Sequence, residues 1–185
     1  MALTIKKTYV AIVIALITMG CMSANNPSNY KLVNVEMLKL KADTIASEYL
    51  ESNPDFFGYT VILQTDKEGQ LTTNALPLDA TFRYSLTEGL GVDGVGISVK
   101  LDSSLNPDVQ IGQMTKGKLP LRDNYMVLSD AIKLFTKNYH EVVHELSFVT
   151  LFHDVSMAEP VYLFHINDGY IIIGAISGDS NFMKK

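Results

Sequence analysis

Residues 161–176 read VYLFHINDGYIIIGAI, two short apolar runs around Asn167-Asp168-Gly169. Asp-Gly between apolar runs of strand length is a strong hairpin signal, because glycine adopts the backbone angles that a tight turn needs. The runs over 161–166 and 170–176 are therefore expected to be antiparallel neighbours. A third run, 146–152, precedes them. Before that run, Leu128, Ala131, Ile132, Phe135 and Tyr139 recur at the spacing of one helical face, with Ser129 as the expected cap. One helix followed by three strands can bury its apolar stripe only by lying across one face of their sheet.

The same order occurs earlier in the chain. Between Val35 and Leu50 the apolar positions Leu38, Ala42, Ile45, Ala46 and Tyr49 share a helical face, while Lys39, Lys41, Asp43 and Glu48 fall largely elsewhere. Asn34 is the expected cap, and Pro54 closes the helical region by disfavouring helix in the residue before it. The period then changes to two. Tyr59-Val61-Leu63, Phe82-Tyr84-Leu86 and Val95-Ile97-Val99-Leu101 alternate with more polar residues, as half-buried strands do. Asp66-Lys67-Glu68-Gly69 marks a turn or longer hairpin loop between the first two. Pro107, Gly112, Gly117 and Pro120 break regular structure later on. The fold class is accordingly α+β, with two helix-plus-three-strand antiparallel units over residues 34–102 and 125–185. A linker loop over 103–124 joins them, and the two units can pack as one globular domain.

The second unit carries a family resemblance. Leu128-Ser129-Asp130-Ala131-Ile132, then Val149-Thr150-Leu151, Glu159-Pro160-Val161-Tyr162-Leu163-Phe164, Asp168-Gly169-Tyr170-Ile171-Ile172-Ile173 and Ser177-Gly178-Asp179 resemble a PepSY domain. That resemblance covers about the last third of the chain. It implies a bacterial exported module with a cystatin-like arrangement of helix and sheet, some members of which are associated with peptidase regulation. It brings no catalytic residues.

The N-terminus has the three parts of an export signal. Lys6 and Lys7 are followed by an apolar run from Thr8 to Ile17 and by Thr18-Met19-Gly20-Cys21. The run is short of the roughly 20 apolar residues that a membrane-spanning helix needs. Gly20-Cys21 resembles the end of a lipobox, where bacterial lipoproteins are cleaved before a lipidated cysteine. The resemblance implies a signal peptide over residues 1–20 and lipidation, with palmitate among the acyl chains, at Cys21. Cys21 is also the one cysteine of the chain, so a disulfide within the chain is ruled out. Met22 in place of an aspartate implies retention at the outer membrane, facing the periplasm, in a cell with two membranes. Residues 21–33, rich in Ser, Asn and Pro, read as a flexible tether. Loss of Lys6 and Lys7 with the signal leaves 13 basic residues against 20 acidic ones, a net charge of −7 instead of −5. That balance argues against nucleic acid as a partner and against attachment to anionic headgroups by charge.

His140-Glu141-Val142-Val143-His144 is a match to H-E-x-x-H. On an α-helix this spacing stacks two imidazoles on one face as zinc ligands and leaves the glutamate to activate a metal-bound water. A catalytic zinc needs a third protein ligand. Glu159 is the best placed of Glu159, Asp154, His153 and His165. Against the motif stand the charge of Glu145, the β-branched Val142 and Val143, and the strand pattern that starts at Leu146. The preferred reading makes His140 and Glu141 solvated residues at a helix C-terminus, where an imidazole interacts favourably with the helix dipole. Gly89-Leu90-Gly91-Val92-Asp93-Gly94 fits G-x-G-x-x-G, but a strand pattern follows it where dinucleotide binding needs a helix. It reads as a hairpin loop.

Two functional classes remain. The preferred one is a non-enzymatic, membrane-tethered lipoprotein of the cell envelope with no cofactor, whose sheet faces or edges bind a protein or peptide partner. The alternative is a zinc-dependent hydrolase using His140, Glu141, His144 and Glu159.

Overall fold

The computed structural model describes residues 35–63, 77–86, 95–113, 117–122 and 124–184. Helix α1 spans Val35–Leu50. Its buried residues Leu38, Ala42 and Ala46 step by four, and Leu50, next on that row, packs against the core. Tyr49, a three-residue step from Ala46, is therefore exposed, although the sequence places it on the apolar face. The helix ends at Glu51, which has a positive φ of 51°. Asn34, its expected cap, lies outside the described residues.

Strands β1 (Asp55–Ile62), β2 (Asp79–Ser85), β3 (Val95–Asp102) and β4 (Pro107–Gln113) follow. Then come helix α2 (Leu128–Asn138), a 3-10 turn over His140–Glu145, and strands β5 (Phe148–Phe152), β6 (Val161–Ile166), β7 (Gly169–Gly174) and β8 (Ser180–Lys184). All eight strands form one antiparallel sheet in the order β4-β3-β2-β1-β5-β6-β7-β8.

The α+β class and the antiparallel pairing stand as expected. The division into two helix-plus-three-strand units does not describe this sheet. Each helix is followed by four described strands, and the sheet runs unbroken across the β1–β5 pairing, Gly58 opposite Phe152 and Val61 opposite Val149. The additional strands are β4, inside the stretch expected to be a linker loop, and β8. Both are sheet edges, where one side of the backbone meets solvent and polar residues blunt further pairing. Pro107 starts β4, a position open to proline on an edge. Val109 and Ile111 alternate with Asp108 and Gln110, but Ile111 is 71% exposed, so the burial that accompanies such alternation in the inner strands is incomplete there. Two ends also differ from expectation. Val127, not Ser129, precedes α2 and makes no side-chain cap bond. Leu146 closes the 3-10 turn, so β5 begins two residues later, at Phe148.

Cross-strand register shows that both helices lie on one face. Leu101, Ala80, Val61, Val149, Phe164 and Ile171 are successive partners across the six inner strands, and all are buried. Val99, Phe82, Tyr59, Leu151, Tyr162 and Ile173 form the next row on that face. From α2, Phe135 stacks on Phe164 at 4.5 Å between ring centroids. From α1, Asp43 accepts a 2.7 Å hydrogen bond from the Tyr84 hydroxyl. Tyr59 and Tyr162 share a 3.2 Å hydroxyl contact across the β1–β5 junction, and Tyr162 donates to the Met126 carbonyl. Burial holds both phenols well above their ordinary pKa, so they remain neutral donors inside the core.

Candidate functional site

Since side chains alternate along a strand, the residues between those two rows point away from the helices. From β2 these are Asp79, Thr81, Arg83 and Ser85. Thr60 projects from β1; Ser98 and Lys100 from β3; Phe148, Thr150 and Phe152 from β5; and Leu163, His165, Tyr170 and Ile172 from β6 and β7. Most are half-buried, although no described helix crosses them. A cavity of about 600 Å³ opens on this face, lined by Phe57, Thr60, Arg83, Ser98, Lys118, Phe148, Thr150 and Phe152 among others. This size falls within the range of small-ligand and side-chain sites.

The cavity has a polar seam and aromatic walls. Thr60 and Thr150 stand opposite each other across β1 and β5 with hydroxyls 3.3 Å apart, and Arg83 donates to the Thr60 hydroxyl at 3.1 Å. Burial lowers the Arg83 pKa from its ordinary value, yet a guanidinium so strongly basic stays charged. Lys118 lies over the Phe152 ring at 4.2 Å and pairs with Asp154 at 3.1 Å. Phe148 stacks on His165 with centroids 3.9 Å apart, continuing the aromatic surface towards β7 and Tyr170. Such a surface can take an apolar or aromatic group against its walls and a polar or anionic group against the threonine–arginine seam.

The H-E-x-x-H residues sit elsewhere, after α2. They form a 3-10 turn, not an α-helix. At three residues per turn, positions four apart lie about 120° apart around the axis, whereas an α-helix separates them by about 40°. The spacing that stacks two imidazoles on an α-helix is thus absent at His140 and His144. Both are exposed, as is Glu141, while Val143 is buried. His144 Nε2 lies 3.9 Å from the Glu145 carboxylate.

The expected third ligands hold loops together. Glu159 accepts from the Ile176 and Ser177 backbone amides at 2.7 and 2.9 Å and from the Ser177 hydroxyl at 2.6 Å, clamping the β7–β8 connection. Burial raises its pKa, but the three donors outweigh that and leave it below the ordinary value. Asp154 accepts from the Ser156 amide and hydroxyl and from Lys118. Those bonds hold its carboxyl at about 2. His153 Nε2 lies 3.3 Å from the Met157 carbonyl. Among the described residues, no group of three or more His, Cys, Asp or Glu side chains is disposed to hold a metal ion. Cys21 and the Gly89–Gly94 motif lie outside the described residues. No helix among the described residues is long and apolar enough to cross a membrane.

Sequence reasoning missed Arg83, Thr60, Thr150 and Lys118. They appear there as ordinary polar partners in an alternation or as part of a loop, and no spacing marks them as a group. They meet because β2, β1 and β5 are neighbours, and β5 lies about 90 residues after β1 in the chain. Compared with protein-family models, with curated proteins and with solved structures, the chain matches none of them.

Proposed function

We propose that this chain is a non-enzymatic, lipid-anchored protein of the cell envelope that binds a protein or peptide partner on the sheet face opposite its helices. The observation that carries the reading is the cavity on that face, with Phe57, Phe148 and Phe152 around the Arg83–Thr60–Thr150 seam. A half-buried apolar surface with a few converging polar groups is how proteins present a recognition site. Anchoring rests on Cys21 and its lipobox-like context. In this reading the tether over residues 21–33 holds the folded domain near the outer membrane, facing the periplasm. The PepSY-like, cystatin-like resemblance of residues 125–185 belongs to the same proposal, as an exported module that acts by binding.

Two measurements test it. Cys21→Ser is expected to release the protein from the membrane to the soluble fraction; retention in the membrane would remove the anchor. Cross-linking of the full-length protein in intact cells, comparing wild type with Phe148→Asp and with Leu40→Asp on the outer side of α1, tests the docking face. Phe148→Asp should abolish the cross-linked product and Leu40→Asp should leave it. The opposite pattern would place docking on the helices. Zinc content of tag-free protein, with peptide hydrolysis compared in Glu141→Gln, separates this reading from a hydrolase. Stoichiometric zinc and activity lost in that variant would reverse the ranking.

A further inference from the structure

We propose that Arg83 anchors a carboxylate subsite on the open face, and that the partner presents an acidic peptide segment whose Asp or Glu side chain is flanked by apolar residues. This rests on the reading of that face as a docking surface.

Three observations lead to it. First, the other cations described on this face are neutralised: Lys100 pairs with Asp79 at 2.7 Å and Lys118 with Asp154 at 3.1 Å. No described carboxylate pairs with Arg83, which donates to a neutral hydroxyl, Thr60. A half-buried charge with no counter-ion among the described residues carries a desolvation penalty that a carboxylate arriving with a partner offsets. Second, the guanidinium fork matches a carboxylate in a bidentate, charge-assisted pair. With Lys118 already held by Asp154, Arg83 is the cation left for the ligand among the described residues of this face, and it balances a single negative charge better than a doubly charged phosphate. Third, Phe57, Phe148 and Phe152 wall the same cavity and suit apolar neighbours of the acid. Arg83 stands on β2, an inner strand separated from the edge strand β4 by β3, so the partner inserts side chains instead of adding a strand.

The test uses the full-length protein in zwitterionic detergent. Its probes are the blocked pentapeptide Leu-Phe-Glu-Phe-Leu, carrying an uncharged dye, and the same peptide with Gln in place of Glu. Fluorescence anisotropy should show the Glu peptide binding about tenfold tighter than its Gln twin, the factor expected for one charge-assisted pair. Arg83→Gln should erase that difference, and Arg83→Lys should retain part of it. Thr150→Glu, which supplies an internal carboxylate to Arg83, should also erase it and keeps the test alive if Arg83→Gln fails to fold. Equal binding of the two peptides, no binding of either at millimolar concentration, or displacement of the Glu peptide by inorganic phosphate at lower concentration than by acetate would each overturn the subsite. In the cellular cross-linking experiment, a product lost in Phe148→Asp but kept in Arg83→Gln would overturn the carboxylate subsite and leave the docking face standing.

Discussion

Gly58 sits in the bulge of β1, with a positive φ of 127°, where the register against β2 shifts between Phe56 and Gly58. A Cβ there would collide with the backbone carbonyl of Leu151 on β5. Gly58→Ala therefore combines backbone strain with a clash at the strand pairing that joins the two halves of the sheet, and should cost about 3–5 kcal/mol in urea unfolding. A loss below about 1 kcal/mol would mean the bulge can slide without penalty. Asp154 makes a different residue-level prediction. Its folded pKa of about 2 lies below its ordinary 3.8, so its contribution is fully present above about pH 4 and is lost as pH falls through 2. The urea midpoint of wild type should drop across that window, and Asp154→Asn, already lower at neutral pH, should drop less.

At the scale of elements, legibility followed burial. The inner strands β2, β3, β6 and β7 were readable because one of their faces is fully covered, which forces alternation at Phe82 and Tyr84, Ile97 and Val99, Tyr162 and Phe164. The edges β4 and β8 were not, since Pro107 and Gly112 read as breakers of regular structure and the helix-side residues Ile111 and Phe182 stay exposed, so burial marks neither edge. The same logic explains the H-E-x-x-H turn. Its residue types match a zinc helix, but Tyr139 and Leu146 must bring the chain from α2 into β5 within a few residues, and a tighter 3-10 turn does so with Val143 packed inward. The cap of α2 was misread because Ser129 offered the right chemistry two residues after the cap position at Val127, inside a helix that begins at Leu128.

On the scale of the whole molecule, the β1–β5 pairing makes one cooperative body out of two sequence-local halves. Tyr59, Leu151 and Tyr162 interlock across it on the helix side, and Thr60 with Thr150 on the open side. Unfolding should therefore be a single transition, with near- and far-UV circular dichroism superimposing; two separate transitions would show that the halves fold independently. Residues 124–184 expressed alone would expose the β5 edge and the row from Val149 to Leu151, and should show no cooperative transition. The sequence by itself determined the helix stripes, the inner-strand alternation and the 161–176 hairpin, because each rests on neighbours a few positions apart. Tertiary structure alone decided which face of the alternation the helices cover, that both sets of strands share one sheet, and that Arg83 comes to lie beside Thr60, Thr150 and three phenylalanines. An alternating strand records that it has two unlike faces. Which residues from distant strands share a face depends on a register set only when β1 meets β5.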